Sequence, residues 1–300
     1  MSEHTALHRR FHAHGVHVGL GQGGLARVMV PGEHCAELYL HGAHLTHWQP
    51  AGERPVLWLS PNSAFADGKA IRGGIPVCFP WFGPHPQDAS APMHGFARLT
   101  AWELTSVERL DEDRVALALQ LGTSEATRRQ WPYGFTVQYR LVIGAVLELE
   151  LLVTNNSLEP FTFSEALHTY LAVGDIDAIR IHGLHDCDFI DKVRLGSRDH
   201  EGRQLVTVAG EVDRMYLTER TRFEIEDPTW QRRLVIEKEG SGVAVLWNPG
   251  HERCLKMPDM EPTSYQHFVC LESANAATRC VHLSPGHEHR LTTRISVQAL

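Results

Sequence analysis

No run of about 18 apolar residues, the length a membrane-spanning helix needs, occurs anywhere in this 300-residue chain, so a helical membrane protein is not expected. The twin Arg9-Arg10 near the N-terminus is followed by a stretch broken by histidines, Gln22 and Arg27. A secretory signal needs a clean apolar segment there, and none is present. Only six cysteines occur, Cys35, Cys78, Cys187, Cys254, Cys270 and Cys280, and no two form a C-x-x-C pair. That spacing fits neither a disulfide framework nor a thiol zinc or redox motif, and a reduced, cytoplasmic protein fits best. Basic residues are the minority, with 28 Lys and Arg against 36 Asp and Glu and a net charge of -8. A general nucleic-acid binder needs a basic face, so that class is set aside, although a local arginine cluster is not. There is no Gly/Ser linker, no repeat and no low-complexity tract, which leaves residues 1–300 as a single domain.

Helical periodicity is scarce as well. TSEATRRQW offers the one helix of note, with Thr123 or Ser124 as N-cap and Pro132 as the stop. Strand patterns fill the rest: RVALALQL, FTVQYRLVI, LELELLVTN, FTFSEALHTYLAV, RRLVIEKEG, GVAVLWN and RLTTRISV alternate or carry β-branched runs, with turns such as NNSLEP between them. Strands that never give way to a βα rhythm predict an all-β, large antiparallel β-sandwich with few short helices. Two segments break the pattern. Residues 60–98 are rich in proline and glycine with little periodicity, as functional loops are. Residues 174–215, rich in Asp, Arg and His, are expected to be a long surface excursion.

What the chain has in excess is histidine, 20 residues in all. Clusters fall at His12, His14 and His17, at His41, His44 and His47, and at His287 and His289. None has H-E-x-x-H or Cys/His zinc spacing, so no metal site and no cofactor is expected. The first cluster belongs to residues 1–19, expected to be a flexible His-rich tail.

Three places carry candidate chemistry. Read as a strand, FTFSEALHTYLAV puts Phe161, Phe163, Leu167, Leu171 and Val173 on a core face and His168 and Tyr170 on a polar one, with Glu165 misplaced among the apolar set. E-A-L-H mimics a helical metal pair, but positions three apart on a strand point oppositely. A lone histidine there is more often structural than catalytic. In YQHFVCLESANA, Glu272 ends an apolar strand; burial would raise its pKa toward the range of a general base, and the alternative is a solvated strand end. The irregular segment holds Arg72 and Arg98, whose forks suit phosphate or carboxylate oxygens, and His94 lies four residues before Arg98. The alternative is that each arginine pairs with a surface carboxylate. Phe79, Trp81 and Trp131 are candidate faces for a ligand, with plain packing favoured for Trp131.

IRGGIPVCFPWFGP, HGFAR, ALHTY, EVDRMY and the late C-L-E, in this order, resemble the hexose-6-phosphate mutarotases, the glucose-6-phosphate 1-epimerases of the galactose mutarotase-like (aldose 1-epimerase) superfamily. The resemblance covers roughly residues 20 to 297. It implies a β-supersandwich with a shallow cleft on one sheet, His168 as general acid and Glu272 as general base, Arg72 and Arg98 as phosphate ligands, Asp213 as a sugar contact, and His94 as a second contact near the ring or the phosphate. It implies a hexose 6-phosphate as substrate, no cofactor and no metal. Two positions depart from the family pattern. Met93 stands where relatives carry a substrate-touching Gln, which bears on hexose selectivity, and His287 stands where the last turn usually has Glu. The chain shows no long apolar edge, which points to a monomer. The rival readings are an aldose 1-epimerase acting on free sugars, a non-catalytic sugar-phosphate-binding protein, and a metallo-hydrolase suggested by the histidines alone.

Overall fold

Two eight-stranded antiparallel sheets pack face to face in the computed structural model, which describes Phe11 and residues 15–300. The first sheet runs, in spatial order, Ser197–His200, Asp188–Asp191, Val212–Leu217, Val243–Asn248, Phe268–Asn275, Glu165–Leu167 and Val77–Cys78. Tyr170–Ala172 also pairs with Phe268–Asn275. The second runs Arg180–His182, Arg222–Asp227, Arg232–Glu239, Glu288–Ala299, Leu147–Asn155, Phe135–Ile143, Val115–Gly122 and Glu103–Arg109. A four-stranded sheet over His17–Leu20, Ala26–Val30, Cys35–Tyr39 and His44–Gln49 adds to these. This is the all-β sandwich that the strand pattern predicts.

Alternation explains the packing. In Val115–Gly122 and Phe135–Ile143, Val115, Leu117, Leu119, Leu121, Phe135, Val137, Tyr139, Leu141 and Ile143 all turn into one core. Each large apolar side chain so buried contributes about 1.5–3 kcal/mol against exposure. Phe268–Asn275 lies near the middle of its sheet and is buried along its whole length. Its Val269 and Leu271 enter the main core, while Cys270 and Glu272 take the opposite face. Thr293 Oγ1 donates to Ser273 Oγ at 2.7 Å and joins the two sheets across the sandwich.

The helix appears as Glu125–Gln130, with Ser124 as N-cap in a reciprocal capping box with Thr127. A second short helix spans Gly250–Cys254. Among the described residues no helix is long and apolar enough to cross a membrane.

Three expectations need correction. Residues 174–215 are not a surface excursion: they supply Arg180–His182 to one sheet and Asp188–Asp191, Ser197–His200 and Val212–Leu217 to the other. Polar residues dominate there in part because two of these strands, Arg180–His182 and Ser197–His200, lie at sheet edges, where one side faces water. Of the tail expected over residues 1–19, residues 1–10 and 12–14, including His12 and His14, lie outside the described residues. Its last residues are not tail, since His17–Leu20 pairs with Ala26–Val30 and buries Val16 and Val18. FTFSEALHTYLAV is not one strand but three, Phe161–Phe163, Glu165–Leu167 and Tyr170–Ala172. The misplaced Glu165 is fully buried and bonded to Asn275 Nδ2 at 3.0 Å and to His289 Nε2 at 2.9 Å.

Two histidines of the 41–47 cluster pin the irregular segment to the body. His41 Nε2 bonds the Lys69 carbonyl and His44 Nε2 donates to the Gly73 carbonyl, each at 2.7 Å. Beside them Gly74, at φ +60, leaves no room for a Cβ, which would meet the Leu45 carbonyl at 2.2 Å. Burial pushes the His44 imidazolium down from 6.5 to about 3, partly offset by the Gly73 carbonyl. The unfolded chain binds this proton below pH 6.5 and the folded chain does not until about pH 3. Stability therefore falls as pH falls through that window, by about 1.4 kcal/mol per pH unit from this residue. Gln keeps the donor without the titration, so His44→Gln is expected to flatten the urea-midpoint profile between pH 4 and 6 by about that slope. An unchanged slope would remove His44 as its source.

Candidate active site

A cavity of about 460 Å³ lies on the face of the first sheet that turns away from the core. Cross-strand register builds its floor. Leu167 pairs with Ser273 and Tyr170 with Cys270, so the two pieces keep one register on Phe268–Asn275 and His168 falls opposite Glu272. Glu272 pairs with Val245, which pairs with Met215, and these three form one row of the floor. Asp213 and Trp247 form the next row.

His168 sits at a kink between strands, where Thr169 N donates to the Leu167 carbonyl and His168 N donates to the Pro76 carbonyl. Its ring stacks on Tyr170 with centroids 4.9 Å apart. His168 Nε2 lies 3.3 Å from Glu272 Oε1. Both residues are buried, at 7% and 2% exposure, yet both line the cavity. Glu272 is not the solvated strand end that the sequence left open; it stands inside its strand. Neither of its carboxylate oxygens has a hydrogen-bond partner among the described residues, and His168 Nδ1 has none either. A buried carboxylate without donors is costly, and burial holds the Glu272 carboxyl well above the usual carboxylate range. Lys192 and Arg98 oppose that shift and Asp213 adds to it. Burial, then the charges of Arg98 and Arg72, hold the His168 imidazolium well below its usual range. The site can thus exchange a proton at two facing groups, each destabilised in its charged form.

The two arginines differ. Arg72 donates from Nε to Asp259 Oδ2 and from Nη1 to the Tyr170 hydroxyl, both at 2.9 Å. The alternative reading, carboxylate pairing, therefore holds for Arg72, although its side chain still lines the cavity. Arg98 has no carboxylate partner among the described residues; its Nη2 donates to the Met93 carbonyl at 2.8 Å and its buried Nε has no partner. A half-buried guanidinium without a carboxylate partner keeps donors able to bind an anion.

His94 holds φ +61, uncommon outside glycine, and accepts at Nδ1 from Gly83 N at 3.2 Å. Its ring centroid lies 5.5 Å from that of His168. Next to it Gly95 has φ +75, and a Cβ there would meet the Phe79 carbonyl at 2.0 Å. The glycine lets the HGFAR turn lie against Phe79, which aims His94 and Arg98 together. Gly95→Ala is expected to destabilise by more than about 2 kcal/mol, read from the denaturant midpoint. A loss under about 0.5 kcal/mol would show that the turn relaxes freely.

Asp213 lies 3.5 Å from Lys192 Nζ, and burial raises its carboxyl. Lys192 also sits over the Phe82 ring at 4.6 Å. Lys192, Phe82, Trp247 and Arg253 line the cavity and were missed in the sequence. Lys192 lies in the segment read as a surface excursion, and Trp247 alternates within a core-like strand, so neither gave a local signal. Phe79, Trp81 and Trp131 do not offer a ligand face: they are buried and pack with Phe96, Phe135, Phe161 and Phe163. The exposed Met93 stands at the rim.

A family model described as aldose 1-epimerase matches residues 30–296. A protein of Escherichia coli strain K12, named as a candidate glucose-6-phosphate 1-epimerase, is 41% identical over 242 residues, 81% of this chain and 80% of its own. One from Cenchrus ciliaris with the same name is 33% identical over 293 residues, 92% of this chain and 85% of its own. Among solved structures, a candidate mutarotase from Salmonella typhimurium superposes with a TM-score of 0.86 at 35% identity, over 95% of this chain and 98% of that one. A galactose 1-epimerase from Lactobacillus acidophilus, with a TM-score of 0.69 at 13% identity, shares the fold.

Proposed function

The chain belongs to the aldose 1-epimerase family, and from that premise we propose that it interconverts the α and β anomers of hexose 6-phosphates, glucose 6-phosphate foremost. The observation that carries this reading is the facing pair His168 and Glu272, 3.3 Å apart, in a cavity that also holds an arginine without a counter-ion. The names of the relatives support the phosphorylated substrate. The cavity volume is in the range of small-molecule sites.

The mechanism needs two opposed proton transfers. Glu272 takes the proton of the anomeric hydroxyl while His168 gives one to the ring oxygen. The C1–O5 bond opens to the aldehyde, the C1–C2 bond turns, and the ring recloses on the other face with the roles reversed. Burial penalises both charges, so in the empty cavity the pair keeps one proton between its members. Arg98 and Arg72 disfavour the imidazolium. A phosphate on these arginines offsets their charge and favours protonated His168 with ionised Glu272, the form that the reaction uses. The phosphate lies away from the reacting carbon, so the arginines supply orientation and selectivity. Asp213 accepts from a sugar hydroxyl, and His94, with Nδ1 engaged by Gly83, presents Nε2 to the ring or the phosphate.

Anomeric exchange followed by NMR on hexoses and their 6-phosphates tests the proposal. The 6-phosphates are expected to exchange faster than the free sugars by at least about tenfold at equal concentration. Equal rates would favour an epimerase of free sugars, and no acceleration of either would favour a binding protein.

A further inference from the structure

Beneath the facing pair lies a third donor that the proton transfers do not use. Cys270 and Glu272 sit two positions apart on one strand and so share the cavity face. Cys270, His168 and Glu272 each offer a ligand atom, and these atoms all lie within 4.8 Å of one another. All three residues are buried, and both oxygens of Glu272 are without a hydrogen-bond partner among the described residues. We propose that His168, Cys270 and Glu272 form a binding site for a thiophilic divalent cation of the zinc type, which enters by the sugar cavity and inhibits the enzyme by occupying its acid and base.

Ligand chemistry selects the ion. One thiolate, one imidazole and one carboxylate make a zinc-type set of three protein ligands with a fourth position open, and they disfavour magnesium and calcium. Metal–ligand bonds of about 2.0–2.3 Å place tetrahedral ligand atoms about 3.3–3.8 Å apart. The 3.3 Å between His168 Nε2 and Glu272 Oε1 already meets this. The thiol has to move inward by about 1 Å to reach that spacing. Charge balances too. Thiolate and carboxylate neutralise the dication, and binding releases to solvent the thiol proton and the one shared by His168 and Glu272. Arg72, Arg98 and Lys192 oppose a cation in the empty cavity, so the two negative charges of the ligand set, which leave the complex neutral, are what make binding possible. Sequence spacing gave no sign of the site because His168 lies about a hundred residues before the strand that carries Cys270 and Glu272, and only the register joins them. That the cation inhibits rests on the assignment of His168 and Glu272 as acid and base; that it binds does not.

The test uses the full chain, purified without a metal column and treated with EDTA. Cobalt(II) is expected to give a thiolate-to-metal charge-transfer band in the near ultraviolet, which Cys270→Ser abolishes. Zinc is expected to inhibit anomeric exchange competitively with hexose 6-phosphate, reversibly by EDTA, and magnesium to have no effect. Cys270→Ser is expected to keep the basal rate and to raise the zinc inhibition constant by at least about tenfold. Thermal melting with and without zinc gives a second readout, since a bound cation raises the transition of wild type and not of the variant. Should Cys270→Ser not fold, Glu272→Gln takes its place, with loss of both the cobalt band and the thermal shift expected. A band that survives the substitution, as from Cys35 and His47 at 3.6 Å, overturns the proposal, as does inhibition equal in both proteins. If His168→Asn and Glu272→Gln lose exchange while wild type shows no band, the metal site fails and the acid–base assignment stands. If those variants keep exchange while wild type shows the band, the assignment fails and the site stands.

Discussion

Glu272→Gln is expected to slow anomeric exchange of hexose 6-phosphate by about 10²–10⁴-fold, and His168→Asn to do the same, since each positioned acid or base contributes an effect of that size. The expectation rests on what surrounds the carboxylate. Its oxygens are buried, face the cavity and have no hydrogen-bond partner among the described residues, so no hydrogen bond of the resting fold depends on them. Gln fills the same volume but takes no proton. Stability should therefore hold, because the substitution removes a buried carboxylate that no hydrogen bond compensates. The double variant is expected to be little worse than either single one, as for groups that act on one transition state together. Exchange spectroscopy on the anomeric protons measures the rate, and the denaturant midpoint controls for folding. Near-normal exchange in either single variant would sink the assignment. Loss of exchange together with loss of folding would make the residue structural.

Arg98→Ala is expected to lower kcat/KM for a hexose 6-phosphate by about 10²-fold, the weight of a charge-assisted contact to phosphate, with little change for the free hexose. Most of the loss should appear in KM, because the phosphate is held alike before and during ring opening. Arg98 suits this test better than Arg72. Arg72 also holds Asp259 and the Tyr170 hydroxyl, so its removal disturbs the wall on which His168 stacks. Arg98 leaves no carboxylate stranded, since it pairs with none among the described residues. Equal losses on phosphorylated and free sugar would mean that Arg98 acts through the HGFAR turn, by its bond to the Met93 carbonyl, and not on phosphate.

Much of the fold was legible because its signals are local. Period-two alternation in Val115–Gly122 and Phe135–Ile143 reads directly as two buried strands of a sandwich. The same parity put His168 on the polar face and Glu165 on the core face, as the structure has them. It could not explain Glu165, because its partners, Asn275 and His289, come from a distant strand and from the opposite sheet. The segment 174–215 was misread for a related reason. The edge strand Ser197–His200 is polar and exposed on both faces, so its composition is that of a loop.

The histidine excess divides along the same line. Composition alone could not distinguish His44, a buried donor to the Gly73 carbonyl, from His168, which faces a carboxylate across a cavity. Both sit in strand-like sequence with apolar neighbours, and what separates them is the group across from each.

By itself the sequence determined the class of fold, the motifs that mark the family and the side that each residue takes in the regularly alternating strands, because period and turn chemistry act over a few residues. Only the tertiary structure decided that His168 stands opposite Glu272, that Lys192 and Trp247 complete the cavity, and that Arg98 goes unpaired where Arg72 does not. Those facts depend on register between strands far apart in the chain. Register is set by burying the whole sheet at once, and a slip of one residue would move Glu272 to the core face and close the site.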